Sequence, residues 1–222
     1  MGCQKLQTID KLGKKLNNVQ QLSQDDIDFQ KEEIVYSGFF KFKRYTFRHK
    51  LHAGGWSKPI KREIFERGNA VAVLPFDPEL QEFVFIEQFR VATMHDCDKP
   101  WLLEVVAGIM EPGETPEQVC RREAQEEAGV DILALTHIID FYPSPGACTE
   151  KLGLFFATVD GSNAGGIHGL ETENEDILVH RVPANTALQW LDEGRINNSA
   201  TIIALQWFAL HRDKFKAQKT TR

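Results

Sequence analysis

The sequence predicts an α/β fold, an α/β/α sandwich in which helices cover a mixed sheet, preceded by a small antiparallel N-terminal sheet. Three observations carry this. From residue 70 onward, apolar strand-like runs are interspersed with two or three helical segments. Residues 27–68 are rich in aromatic and β-branched residues broken by turn signals. Residues 115–129 carry the start and stop marks of a capped helix. The chain therefore divides into a polar extension over 1–26, a small sheet over 27–68 and a main domain over 69–222.

In the small sheet, Ile34-Val35-Tyr36 and Phe39 to Phe47 read as strands, His52-Ala53-Gly54-Gly55 as a turn, and Ile60 to Phe65 as a return strand. The main domain opens with Ala70 to Phe76, a buried strand. Asp77-Pro78 begins a turn, and Phe83 to Arg90 is the partner strand. Leu102 to Ala107 reads as one further strand. Thr115 suits an N-cap, Pro116 the first helical position, and Thr115 and Gln118 have the spacing of a capping box. Val119, Cys120, Ala124 and Ala128 make a small apolar stripe, and Gly129 suits the helix end. Ile132 to Tyr142, Leu152 to Val159 and Ile177 to Val182 read as strands, with a polar, Gly-rich loop from Gly161 to Glu175. Thr186 to Glu193 and Ser199 to Lys216 read as helices, the second with an apolar stripe at Ile203, Leu205, Trp207, Phe208 and Leu210.

At 222 residues and 42% hydrophobic, the chain fits one large domain, or one domain with an appendage. A net charge of −6 argues against a nucleic-acid partner. It leaves room for a small anionic substrate, because a bound metal supplies positive charge locally. Cys3, Cys97, Cys120 and Cys148 are scattered without metal-ligand spacing, which fits a reducing cytoplasm, and Cys120 falls on the apolar stripe as a core residue. No apolar run reaches membrane-spanning length, so no membrane partner is expected. Met1-Gly2-Cys3 is not a lipidation signal, because Leu6 stands where myristoylation needs Ser or Thr.

The chemistry is concentrated in residues 108–130. Glu123, Glu126 and Glu127 lie within about one helical turn, with Glu114 just ahead of the helix. Glu123 and Glu127 form an i,i+4 like-charge pair, which costs an isolated helix about 0.2–0.5 kcal/mol. A cation between them converts that cost into a gain. Hard divalent ions take carboxylate and phosphate oxygens, so the helix reads as a metal platform for phosphate chemistry. Arg122 is spaced to pair with Glu126.

The stretch resembles the Nudix box, G-x5-E-x7-R-E-U-x-E-E-x-G-U. Gly108, Glu114, Arg122, Glu123, Glu126, Glu127, Gly129 and Val130 fill the pattern, and Ala124 stands where a larger aliphatic residue is usual. The resemblance extends over Ile27 to Phe215 and is nearest to the ADP-ribose pyrophosphatase branch. Gly38-Phe39-Phe40, Arg62 to Gly68, Glu87-Gln88-Phe89-Arg90, Trp101 to Glu104, Ser144-Pro145-Gly146 with Glu150, and Gly166 to Asp176 carry it.

This resemblance implies a magnesium-dependent hydrolase, with manganese as a substitute, cleaving ADP-ribose to AMP and ribose 5-phosphate. By the same carry-over Glu123 and Glu127 bind metal with the backbone carbonyl of Ala107. Glu126 ligates metal or orients its water, and Glu114 and Arg122 hold the ligating carboxylates. On composition alone Glu171, Glu173, Glu175 and Asp176 are a solvated acidic loop; the resemblance makes Glu173 the general base and Glu175 an auxiliary metal ligand. Phe39 and Arg62 are implied to sandwich adenine, Arg90 to bind a phosphate and Glu150 to accept from ribose hydroxyls. His168 reads as a loop-ordering residue rather than a metal ligand. The resemblance also implies a cytoplasmic homodimer, in which the N-terminal sheet crosses to the partner. Another nucleoside diphosphate sugar such as GDP-mannose, or a non-catalytic ADP-ribose-binding module, stays open as an alternative.

Overall fold

The structure is a computed structural model that describes residues 21–95 and 99–215. The expectations for residues 1–20, for Cys97 and for a helix end at Lys216 lie outside the described residues. The chain falls into two compact units divided between Glu66 and Arg67.

In the first unit, Ser23 caps a short 3-10 turn at Gln24–Asp26. Three antiparallel strands follow in the order β1 (Ile27–Ser37), β2 (Lys41–His49) and β3 (Ile60–Glu66). β1 is much longer than the Ile34–Tyr36 run that suggested it. Phe39 is not in a strand; it lies in the bend that lets Ser37 pair with Lys41. Charges lock the strands side by side: the Lys43 ammonium bridges Glu32 at 2.9 Å and Glu66 at 2.7 Å. No described residue of this unit is fully buried, as expected of three strands without a covering layer.

The second unit is built on one sheet in the order β10-β11-β5-β4-β9-β8. Its strands are β4 (Ala70–Asp77), β5 (Glu82–Phe89), β6 (Trp101–Glu104), β7 (Val106–Ile109), β8 (Ile132–Phe141), β9 (Leu152–Val159), β10 (Gly166–His168) and β11 (Ile177–Pro183). The helices are α1 (Pro116–Ala128), α2 (Ala184–Asp192) and α3 (Ser199–His211). β4 runs parallel to β9 and antiparallel to its other partners, so the sheet is mixed. Every residue of β4 is buried, which explains its unbroken apolar run. Side chains alternate between two cores: Val71, Val73, Val84 and Ile86 pack under α1, while Ala72, Leu74, Phe83 and Phe85 pack under α2 and α3.

Three expectations need correction. Leu102 to Ala107 is not one strand: β6 pairs with β5 and β7 with β4, and the ladder breaks at Val105. β4 and β5 pair only at Phe76–Phe83 and Asp77–Glu82, so the two strands diverge and the segment changes partner. The buried Thr201 hydroxyl accepts the Val105 N–H at 3.0 Å, satisfying the donor left over at the break. Secondly, the Gly161–Glu175 loop contains β10 and a 3-10 turn at Glu171–Glu173. Thirdly, α3 buries Thr201, Ala204, Leu205 and Phe208, whereas Leu210 is 84% exposed. Apolar residues surround this helix, so periodicity does not single out its buried face.

Phe208 centres a ring cluster with Phe76 at 5.0 Å and Phe83 at 4.8 Å. Phe208→Ala is expected to cost about 3–5 kcal/mol, and Leu210→Ala to stay within about 0.5 kcal/mol. Urea unfolding of both variants checks this; equal costs would count against the assigned face.

Candidate active site

Local chemistry fixes α1 where the carboxylates are needed. Thr115 Oγ1 accepts the Gln118 N–H at 3.3 Å and Gln118 Oε1 accepts the Thr115 N–H at 2.8 Å, closing the capping box. Gly129, at φ +64°, ends the helix in the left-handed region. Between the caps, Val119, Cys120, Ala124 and Ala128 are fully buried against the sheet. The small side chain at Ala124 lets the helix lie close. Gly108 of β7 faces the same contact: a Cβ there would overlap the Glu123 carboxylate.

Arg122 gathers the acids. Its Nη1 donates to Glu123 at 2.7 Å and Glu126 at 3.0 Å, and its Nε donates to Glu114 at 3.1 Å. The Glu114 carboxylate also accepts the Glu111 N–H, and the bonds from Arg122 hold it below the usual carboxylate range. Glu127 is buried beneath this layer and accepts the Ala107 N–H at 2.9 Å. Burial pushes Glu127 up to about 8 and Glu123 up to about 7, the latter against the pull of Arg122.

The loop before β11 reaches the same place. The charge of Glu175 acts on both Glu123 and Glu127, and that of Arg90 acts on Glu127. The Gly169 N–H donates to the Glu126 carbonyl at 3.1 Å, tying the loop to α1, and Glu175 Oε2 accepts the Leu170 N–H at 3.1 Å. Gly169 sits at φ +101° with Glu175 stacked on it, so a side chain would fit neither the backbone nor the space. His168 contacts Gly129 and the Gly165 carbonyl, which agrees with a loop-ordering role.

Of the expected residues, Glu114, Arg122, Glu123 and Glu126 touch one another, and Ala107 and Glu127 touch through the backbone N–H. Glu175 and Arg90 face them. Glu173 is exposed on its 3-10 turn. Glu150 is buried in an ion pair with Arg67 at 3.1 Å. Phe39 and Arg62 belong to the first unit, where Phe39 is 91% exposed and Arg62 donates to the Lys61 carbonyl. Sequence reasoning passed over Glu104 as a site residue. It is buried in β6 and accepts from Arg90 at 2.6 and 3.0 Å. A carboxylate within the otherwise apolar Trp101–Glu104 run was the available signal.

Among the described residues, no three His, Cys, Asp or Glu side chains stand in an arrangement that could hold a metal ion. Two observed contacts account for that: Arg122 draws Glu123 and Glu126 toward itself, and Glu127 turns onto the Ala107 N–H. The donor set still fits a hard divalent cation. It is all oxygen, and the buried Glu127 lies about one helical turn from the half-buried Glu123.

The chain is similar to known proteins over most of its length. A family model described as the NUDIX domain matches residues 66–212. An ADP-ribose pyrophosphatase of Escherichia coli (strain K12) is 47% identical over 192 residues, covering 86% of this chain and 92% of the relative. A GDP-mannose pyrophosphatase of Cronobacter sakazakii is 33% identical, covering 83% of this chain and 96% of the relative. A crystal structure of an ADP compounds hydrolase superposes with a TM-score of 0.62 at 19% identity, over 84% of this chain and 96% of that one, a likeness of fold.

The buried Glu127 and the half-buried Glu123 set a pH dependence. Both titrate above the ordinary 4.5, so their contribution to stability is complete below about that pH and is lost as pH rises through about 7 and 8. The melting temperature of chelator-treated protein is therefore expected to fall between about pH 4.5 and about pH 8, less steeply in Glu127→Gln, with divalent metal offsetting the loss. Thermal melts across that interval check it; a metal-free profile as flat as that of Glu127→Gln would contradict the assigned burial.

Proposed function

The chain belongs to the NUDIX family, and from that premise we propose that it hydrolyses the diphosphate of ADP-ribose to AMP and ribose 5-phosphate. One observation carries the hydrolase chemistry: the buried Glu127 and the half-buried Glu123 share a helix with Glu126 and Arg122, facing Glu175 of the neighbouring loop. The substrate rests on the higher identity to the ADP-ribose relative than to the GDP-mannose one, 47% against 33%.

In this reading Glu123, Glu127 and the Ala107 carbonyl hold magnesium, or manganese in its place, with Glu126 as a further ligand or water partner. When bound, the metal neutralises the diphosphate and lowers the pKa of a water. Arg122 and Glu114 keep the ligands in place, and the buried Glu104 aims Arg90 at a phosphate. Glu150 accepts hydrogen bonds from ribose hydroxyls. Phe39 offers an exposed ring and Arg62 a guanidinium for adenine. Glu173 takes the proton of the attacking water as the water oxygen bonds to one phosphorus, the bridging P–O bond of the diphosphate breaks, and the other phosphate leaves as part of its monophosphate ester, so that AMP and ribose 5-phosphate result. Glu175 assists as an auxiliary ligand. A second reading exchanges these two roles, favoured by the position of Glu175 beside the acids of α1 and the exposure of Glu173. The exposed Phe29, Ile34 and Tyr36 support a homodimer in which the small sheet crosses to a partner subunit. No described helix is long and apolar enough to span a membrane, in keeping with a cytoplasmic enzyme.

A hydrolysis panel of ADP-ribose, GDP-mannose and dinucleotides tests the substrate. ADP-ribose is expected to give the highest kcat/KM, and a higher value for GDP-mannose would reverse the assignment. Glu127→Gln keeps volume and removes charge, so near-complete loss of turnover with the fold retained is expected; full wild-type activity in chelator would defeat the metal mechanism.

Glu173→Gln is expected to lower kcat by about 10²–10⁴-fold with KM little changed. Glu175→Gln should do less and recover in part with added metal. If Glu175→Gln is the more damaging and metal does not rescue it, the second reading stands.

A further inference from the structure

The second unit holds a cleft of about 510 Å³ lined by none of the residues assigned to the reaction. Its position follows from strand alternation. Val84 and Ile86 of β5 pack under α1, whereas Phe83 and Phe85 pack under α2 and α3, and Glu87 shares the second parity. On β11, His180 shares the parity of Val182, again toward α2 and α3. The cleft therefore lies on the sheet face turned away from the acids of α1.

Its lining has a specific chemistry. Two indoles, Trp101 and Trp190, and two cationic side chains, Lys99 and Arg195, line one concavity. The Arg195 guanidinium lies over the Trp190 ring, 4.3 Å from its centroid. The turn after α2 fixes that arrangement: Gly194 takes φ +71° and the Arg195 N–H donates to the Trp190 carbonyl at 2.9 Å. The one carboxylate in the lining, Glu87, is hydrogen-bonded to His180 at 2.6 Å and is outnumbered by the two cationic side chains. The cleft is thus locally cationic in a chain whose net charge is −6. Concave cationic surfaces concentrate anions. Indole and guanidinium faces accept flat rings, and the volume lies in the small-ligand range of about 300–1,000 Å³.

We propose that this cleft binds a nucleoside 5′-monophosphate at a second site, the base stacking on Trp190 or Trp101 and the phosphate meeting Arg195 and Lys99. Glu87 is placed to accept from the sugar hydroxyls or an exocyclic amine. The site uses none of the residues that the hydrolase reading requires.

AMP is the probe, titrated into the full chain in chelator, with binding followed by calorimetry and tryptophan fluorescence. Wild type and Glu127→Gln are expected to bind AMP alike, with fluorescence quenched in proportion. Arg195→Gln and Trp190→Ala should each weaken binding by about tenfold or more. Both variants should keep metal-dependent hydrolysis, which shows that they fold. Ribose 5-phosphate, which lacks the base, should bind much more weakly. The proposal is overturned if wild type shows no saturable AMP binding, or if Arg195→Gln and Trp190→Ala leave that binding intact, whatever Glu127→Gln does. Loss of ADP-ribose hydrolysis activity in all proteins would refute the enzymatic reading and leave this one standing.

Discussion

The closeness of α1 to β7 is the constraint on which the site depends. Four small or medium side chains, Val119, Cys120, Ala124 and Ala128, lie flat on the sheet with no exposed surface. Glycine at 108 removes the remaining obstacle. That approach brings the Glu127 carboxylate to the Ala107 N–H and takes Glu123 out of bulk water. A larger residue at either contact would raise the helix and return both acids to solvent. They would then titrate as ordinary carboxylates and lose the advantage that burial gives a cation over water as their partner.

Arg122 is the counterweight. Acids crowded on one helix, with Glu127 buried and Glu123 half-buried, repel one another, and one guanidinium reaching Glu114, Glu123 and Glu126 offsets part of that cost. The same side chain holds these carboxylates away from a coordination arrangement. In the proposed reading, a metal ion taken up by these carboxylates would therefore replace the guanidinium as partner of some of their oxygens.

The reading from sequence was strongest where local rules and tertiary demands agree. The helix 116–128 announced itself through Thr115, Pro116, Gln118 and Gly129, and each performs the expected task. β4 was legible because burial on both faces leaves an unbroken apolar run. The break at Val105 was not, because an apolar strand that changes partner midway looks like one that does not. The buried face of α3 was hidden by its uniformly apolar composition. Within the site, the motif placed the acids of α1, but Glu104 became visible only when Arg90 was seen resting on it. The order of Glu173 and Glu175 depends on how a loop folds back, which neither spacing nor composition encodes.

The partner change at Val105 ties together parts of the chain far apart in sequence. The N–H stranded between β6 and β7 is answered by Thr201, and the neighbouring Leu103 carbonyl by the Asn198 amide at 2.8 Å. Both come from the start of α3, so the rear of the Leu103–Ala107 segment is pinned like a hinge plate to the last helix. Glu104, on which Arg90 rests, lies between the two pinned residues, and Ala107, whose N–H Glu127 accepts, lies just beyond them. Harm done to the C-terminal helix would therefore reach the candidate site directly, and losses of function mapping there would be faults of alignment as much as of stability.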